Sequence, residues 1–350
     1  MSIRTLIVED SAVGRELLSH ILGSDPAIHI VGTANNGMEA LHAVQATKPD
    51  VVTMDINMPV MDGYEATRRI METHPAPIVI VSVSVDPREV ATTFRALEEG
   101  AVAAVQKPPG IGHPDHEQTA RVLIQTVKLM SEVKVIRRWP MRYPATPPPG
   151  PATDNWKPGG PGKIEVIAIG ASAGGPPILK TILSHLPADI TVPILVVQHM
   201  AAGFLQGFAK WLADSCKLPV HVAITGENLQ PGCVYIAPGE AHMGIVEGRR
   251  VELFGGASIG GMRPSISFLF ESVAWAFGDR AAGVLLSGMG RDGAEGLKAM
   301  RDRGAITIAQ DEESSLVFGM PGEAIKLGAA IHVLAPHEIT AVLSMLTSKQ

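Results

Sequence analysis

Short apolar runs recur along this chain at nearly even spacing, and each is followed by a stretch of helical polarity. Few folds accommodate that alternation. In residues 1–130 the runs are 3–8, 28–33, 51–54, 78–83 and 102–105, with amphipathic patterns such as 16–22 and 38–47 between them. Continuous apolar strands separated by helices predict a parallel sheet covered on both faces. Residues 163–350 repeat the pattern at 164–169, 194–197, 220–223, 234–236, 243–246, 250–254, 283–286, 305–309 and 331–333. Glu247-Gly248-Arg249 lies between two of these runs and predicts a hairpin, an antiparallel excursion in a mostly parallel sheet. The expected fold is α/β, with two doubly wound parallel-sheet domains.

Between the two halves the composition changes. Residues 131–162 open on a helical pattern at 133–138 and pass into Pro- and Gly-rich sequence around 144–151 and 157–162. Such sequence buries little apolar area and predicts a semi-extended linker. Its two tryptophans and Tyr143 are equally compatible with a free linker and with docking on a neighbouring domain. The expected organisation is thus a domain at 1–130, a linker at 131–162 and a domain at 163–350.

At 350 residues the chain is long enough for two cores. It is 46% hydrophobic but has no long apolar span, so no transmembrane helix is expected. A strand pattern begins at Ile3 and leaves no room for a signal peptide. Cys216 and Cys233 have no disulfide or zinc spacing and are expected to be buried small hydrophobes. A cytoplasmic location follows from these features, and a monomer is expected. Residues 1–130 carry 10 basic and 16 acidic side chains, and residues 163–350 carry 14 and 17. Neither half is basic, which argues against nucleic acid as a partner.

Ligands of doubly wound folds gather at the carboxyl ends of strands. In the first half these ends carry Glu9-Asp10, Asp55, Ser82 and Lys107-Pro108. Each residue alone has an ordinary structural reading. Three carboxylates together, however, repel one another unless a cation sits between them, and an all-oxygen cluster suits Mg²⁺.

In the second half the first strand breaks at Gly170-Ala171-Ser172-Ala173-Gly174-Gly175, and Pro176-Pro177 open a helical pattern. This fits three readings: a nucleophile elbow that exposes the Ser172 hydroxyl, a phosphate cradle, and a plain tight turn. Two further strand ends supply Gln198-His199-Met200 and Ser287-Gly288-Met289-Gly290-Arg291-Asp292-Gly293. In a parallel sheet they share one edge, so His199 can serve as base to Ser172, with Asp292 fixing its tautomer. Asp292 has a competing reading, because Asp292-Gly-Ala-Glu295 has the form of a capping box for the next helix. His242, in Ile236-Ala-Pro-Gly-Glu-Ala-His242, is the rival for the base.

Val8-Glu9-Asp10-Ser11, Met54-Asp55-Ile56-Asn57-Met58-Pro59-Val60-Met61-Asp62-Gly63 and Lys107-Pro108 resemble a response-regulator receiver domain of flavodoxin-like fold. That resemblance implies Asp55 as phosphoacceptor, with Mg²⁺ held by Glu9, Asp10 and Asp55. It also implies Ser82 and Lys107 as phosphoryl-sensing residues and a cis Lys107–Pro108 bond. Ala104 stands where many receivers have an aromatic residue, so no aromatic switch is expected.

The second half, Rossmann-like with its hairpin, resembles the methylesterase domain of the CheB family. The matching stretches are Ile169–Gly175, Gln198-His199-Met200, Ile236-Ala-Pro238 with His242, Arg263-Pro264-Ser265 and Gly288-Met-Gly-Arg-Asp292-Gly-Ala. The resemblance implies a triad of Ser172, His199 and Asp292, Met289 on the oxyanion side, and no cofactor in the esterase site. It implies hydrolysis of glutamate γ-methyl esters on methyl-accepting chemotaxis receptors, deamidation of receptor glutamines, and a chemotaxis histidine kinase as phosphodonor. Ala173, Ala201 and Ser267 depart from the family's usual Thr, Pro and Asp. The contrasting expectation is a non-catalytic module whose partner binding responds to phosphorylation.

Overall fold

In the computed structural model the described residues are 2–82, 87–133, 135, 164–246 and 249–347, with backbone only for 87–92. The chain divides into two compact units, Met1–Met141 and Arg142–Gln350. The expected linker lies almost entirely outside the described residues, as do its tryptophans and Tyr143. The helical pattern placed at 133–138 does not begin at Val133, since the preceding helix stops at Met130.

The first unit alternates β1 Ile3–Val8, α1 Ala12–Gly23, β2 Ile28–Ala34, α2 Gly37–Thr47, β3 Val51–Met54, α3 Gly63–Thr73, β4 Ile78–Ser82, α4 Pro87–Glu98, β5 Ala103–Gln106 and α5 His116–Met130. Its strands are parallel in the order β2-β1-β3-β4-β5, the flavodoxin-like winding. β3 and β4 are buried along their whole length. That is why they read as unbroken apolar runs, with helices covering both faces. Helix starts follow local capping: Ser11 accepts from the Gly14 N–H, Asn36 from Glu39 and Asp62 from Glu65.

The second unit contains β6 Val166–Ala171, α6 Gly175–His185, β7 Ile194–Gln198, α7 Ala202–Ser215, β8 Val220–Val222, β9 Val234–Ile236, β10 His242–Val246 and β11 Arg250–Phe254. It continues with α8 Ile266–Phe277, β12 Ala281–Leu285, α9 Ala294–Asp302, β13 Ile306–Gln310, α10 Met320–Lys326, β14 His332–Leu334 and α11 Pro336–Thr347. Seven strands form a parallel sheet in the order β14-β13-β12-β6-β7-β9-β8. β10 and β11 pair antiparallel as the expected hairpin, whose turn residues 247–248 lie outside the described ones.

The chain runs outward from β6 through β7 to one edge, then returns to β12 on the other side of β6. The order reverses there, and the crevice at the strand ends of such a switch point is where ligands of open α/β sheets bind. Beneath it α8, the most apolar helix of this unit, buries Ile266, Leu269, Phe270, Val273 and Phe277 against the sheet.

Two expectations are corrected. The Lys107–Pro108 bond is trans, and the cis peptide among the described residues is Arg263–Pro264. Cys216 and Cys233 are free but only half-buried. No helix among the described residues is long and apolar enough to cross a membrane.

Candidate functional sites

In the first unit the ends of β1 and β3 lie side by side, with Val8 opposite Met54. This register delivers Glu9, Asp10 and Asp55 to one corner, where their carboxylate oxygens lie within 4.8 Å of one another. Lys107 follows β5 and reaches in, with Nζ 2.6 Å from Glu9 Oε2 and 3.3 Å from Asp55 Oδ2. Burial pushes Glu9 above its ordinary pKa against the pull of Lys107, and the charge of Asp55 acts in the same direction as burial. Burial opposes the Lys107 charge, but its contacts with Glu9 and Asp55 outweigh burial and raise its pKa. One ammonium therefore contacts two of the three clustered carboxylates.

Asp55 Oδ1 also accepts from the Ile56 N–H at 2.6 Å. The loop after Asp55 closes tightly: a Cβ on Gly63 would stand 2.0 Å from the Asp55 carbonyl oxygen, so only glycine fits. Ser82 ends β4 and is buried. It pairs in register with Gln106, the residue before Lys107.

In the second unit the register pairs Ala171 with Gln198. Ser172 and His199 thus leave adjacent strand ends, and the His199 N–H donates to the Ala171 carbonyl at 3.0 Å. Buried Gln198 ties the two turns together, its Nε2 donating to the carbonyls of Ser172 at 2.9 Å and His199 at 3.0 Å. On the other side the Ser172 N–H donates to the Ser287 carbonyl. A Cβ on Gly288 would stand 2.6 Å from Ser172 Cβ, so the Gly288–Met289 loop lies directly against the elbow. The Ser287 hydroxyl donates to the Ala173 carbonyl at 2.8 Å and accepts from the Val317 N–H at 3.0 Å.

The turn is poorly built for phosphate. α6 starts at Gly175 with Pro176 and Pro177 in its first positions, so two N–H groups are missing. The Gly175 N–H is already directed at the Ser172 carbonyl. A phosphate cradle needs several free N–H groups at a helix N-terminus. The Ala173 N–H, by contrast, has no hydrogen bond among the described residues.

His199 Nε2 lies 3.0 Å from Asp292 Oδ2. Asp292 also accepts from the Ser265 hydroxyl at 2.9 Å and from the N–H groups of Ile266 at 2.7 Å, Ser267 at 3.1 Å and Gly293 at 2.9 Å. Burial alone pushes this carboxyl up, but His199 and the two N–H groups of α8 outweigh it, and its pKa falls to about 2. An ionised carboxylate only accepts, so His199 Nε2 carries the proton and Nδ1 keeps the lone pair. Nδ1 is buried with no hydrogen-bond partner among the described residues. No hydrogen bond joins Ser172 Oγ to His199 among those residues; what the structure brings into contact is the His199–Asp292 pair.

The capping reading of Asp292 takes a different form from the one the sequence predicts. α9 begins after Gly293 with no side-chain cap. Asp292 instead serves the N-terminus of α8, more than twenty residues upstream, beside Ser265, which caps α8 through the Phe268 N–H. His242, the rival base, is excluded by its contacts. Its Nδ1 accepts from the Ser265 N–H at 3.1 Å, its Nε2 meets the Ala257 carbonyl at 3.2 Å, and its ring is buried against Phe268. His221, which shows no polar neighbour pattern in sequence, pairs with Glu227 at 2.9 Å on the edge strand β8.

Residues 167–343 match the family model described as CheB methylesterase, and residues 5–113 match that of the response regulator receiver domain. The chain belongs to the CheB methylesterase family. A protein of Geobacter metallireducens, named protein-glutamate methylesterase/protein-glutamine glutaminase 4, is 53% identical over 99% of this chain and 100% of its own length. A Syntrophus aciditrophicus protein of the same name, numbered 1, is 54% identical over 98% of both chains. The Thermotoga maritima CheB methylesterase catalytic domain is 37% identical to the part it matches. It covers 52% of this chain and 98% of that domain, with a TM-score of 0.51.

Of the three departures from the family pattern, Ser267 alone makes a side-chain contact that bears on the site. Ala201 leaves α7 without a side-chain cap. The Ser267 hydroxyl accepts from the Gly293 N–H at 2.8 Å and holds the loop that carries Asp292. Ser265, Ser287 and Gln198 are the positioning contacts that sequence reasoning did not single out. All three lay inside motifs already noted, but each has a partner distant in sequence.

Proposed function

We propose that this chain hydrolyses glutamate γ-methyl esters on methyl-accepting chemotaxis receptors, and deamidates receptor glutamines, under control of phosphorylation at Asp55. Residues 163–350 would form the catalytic part, residues 1–130 the regulatory part and residues 131–162 the connection. The observation that carries the catalytic reading is the His199–Asp292 pair at 3.0 Å, with a buried, unpartnered Nδ1 on the histidine. The names of the full-length relatives support the substrate class.

Ser172 Oγ attacks the ester carbonyl carbon while its proton passes to His199 Nδ1. Asp292 holds the imidazolium that forms. The oxyanion is stabilised by the Ala173 N–H, with Met289 on the facing side. Collapse breaks the bond to the methoxy oxygen, which leaves as methanol with the proton from Nδ1. Water then attacks the acyl-serine and gives its proton to Nδ1. That proton returns to Ser172 Oγ, and the glutamate carboxylate is released. A glutamine amide follows the same path with ammonia as leaving group.

At the regulatory site three clustered carboxylates fit a small hard cation, and Glu9, Asp10 and Asp55 would hold Mg²⁺. The ion would offset negative charge on the incoming phosphoryl group. Asp55 Oδ2 would take the phosphoryl group from a chemotaxis histidine kinase. Lys107, just after β5, and Ser82, at the end of β4, would sense it. The test uses membranes bearing receptors labelled in the ester methyl group. The full chain should release volatile methanol, faster with a small phosphodonor and Mg²⁺, and should release ammonia from glutamine-bearing receptor. Methanol release no faster than in protein-free membranes would refute the assignment and favour the non-catalytic module.

A further inference from the structure

His242 is left without a task by the reaction above, yet both of its ring nitrogens are hydrogen-bonded. It is 3% exposed and opens β10. The Ala257 carbonyl can only accept, so Nε2 carries the proton; the Ser265 N–H can only donate, so Nδ1 carries the lone pair. The neutral ring is thereby fixed in one tautomer by its two partners.

Each partner leads further. Ala257 belongs to an exposed glycine-rich loop, Gly255-Gly256-Ala257-Ser258-Ile259-Gly260-Gly261. A Cβ on any of its four glycines would meet nothing within 4 Å, so the loop has little packing of its own. Ser265 lies on the other side of the ring. Its N–H goes to His242, and its hydroxyl donates to Asp292 Oδ1 at 2.9 Å while accepting from the Phe268 N–H at 3.3 Å. Asp292 in turn holds His199 at 3.0 Å. A continuous chain of hydrogen bonds thus runs from the Ala257 carbonyl through His242, Ser265 and Asp292 to His199.

We propose that His242 is a positioning residue for the esterase reaction: by accepting the Ser265 N–H it sets the Ser265 hydroxyl, and through it the Asp292 carboxylate that orients His199. The inference rests on the triad reading given above. Ser265 Oγ has to face Asp292 and the Phe268 N–H together, and only its backbone position can make both contacts. Without an acceptor at Nδ1 the buried Ser265 N–H loses its partner, and residue 265 shifts toward another one. Displacements of about 1 Å at a catalytic group cost on the order of 100-fold in rate.

The test compares His242→Leu, His242→Asn and His242→Gln in the phosphorylated full chain, with Ser172→Ala as reference, by kcat and KM for methanol release. The Asn side-chain oxygen takes the place of Nδ1 and can accept from Ser265. The Gln amide reaches the place of Nε2 and leaves Ser265 unpaired. The expected result is a kcat lower by about 10-fold to 100-fold for Leu and Gln with little change in KM, and recovery to within about 3-fold for Asn. A Leu or Gln variant with wild-type kcat overturns the proposal. So does an Asn variant that melts like wild type yet is as slow as Gln, since packing would then be the whole role. Should Leu fail to fold, the Asn and Gln pair decides alone. An active Ser172→Ala protein would sink the triad reading itself, an outcome separate from any of these.

Discussion

Replacing Asp292 with Asn separates the two roles that the structure assigns to one carboxylate. Asp292 is 12% exposed, accepts from two N–H groups at the start of α8, and holds His199. Its pKa falls from 3.8 to about 2 on folding. A shift of nearly two units corresponds to about 2 kcal/mol favouring the folded state. The folded-state pKa lies below the unfolded one. The stabilisation is therefore complete above about pH 4 and lost as pH falls through about 2.

The Asp292→Asn side chain keeps the shape but loses the charge, and its NH₂ would face a donor at one of these contacts. The variant should lose about 2 kcal/mol at neutral pH, and the gap from wild type should narrow only below about pH 4. The catalytic effect is larger. An amide N–H turned toward His199 Nε2 favours the tautomer with the proton on Nδ1, which leaves no lone pair for Ser172. A wrong tautomer of this kind costs about 10⁴-fold in kcat in a serine protease, and a loss of that order is expected here.

The assays are methanol release and urea denaturation followed by tryptophan fluorescence. No tryptophan lies in residues 1–130, so the signal reports on the rest of the chain. An Asp292→Asn protein that loses the expected stability but keeps kcat within tenfold of wild type would refute the argument, leaving Asp292 as the anchor of α8 alone.

Three further outcomes follow from the geometry. Small phosphodonors with Mg²⁺ should place a base-labile acyl phosphate on Asp55, and equal labelling of Asp55→Asn would contradict the assignment. Ser287→Ala should cost about 1–3 kcal/mol, because the half-buried Val317 N–H loses its acceptor and the Ala173 carbonyl its donor; an unchanged urea midpoint would mean that the elbow does not depend on this clamp. The resemblance to the CheB family implies that the unphosphorylated first unit inhibits the esterase, so fragment 163–350 should release methanol faster than the unphosphorylated full chain; a fragment no faster would leave activation as the only mode of control.

The strands were legible in the sequence for a plain physical reason. Both sheets are covered on their two faces, so β3, β4, β6, β7 and β12 are buried throughout and read as apolar runs. Reactive residues at strand ends were legible for a related reason, since parallel sheets bring those ends together. The partners were not. Asp292 shows a capping pattern toward its own next helix, and nothing local reveals that α8 takes the carboxylate instead. His242 looked like a base because sequence gives no sign of Ser265 on one side and Ala257 on the other. The cis bond fell at Pro264 rather than Pro108.

Non-additivity at the catalytic edge tests the central claim most directly. With Asp55 phosphorylated, initial methanol release is measured for wild type, Ser172→Ala, His199→Ala and the double variant. Groups that act as one unit lose almost everything at the first substitution. The account predicts a loss on the order of 10³-fold or more for each single variant and no substantial further loss for the double. Release by Ser172→Ala within tenfold of wild type, or independent losses that multiply in the double variant, would contradict it.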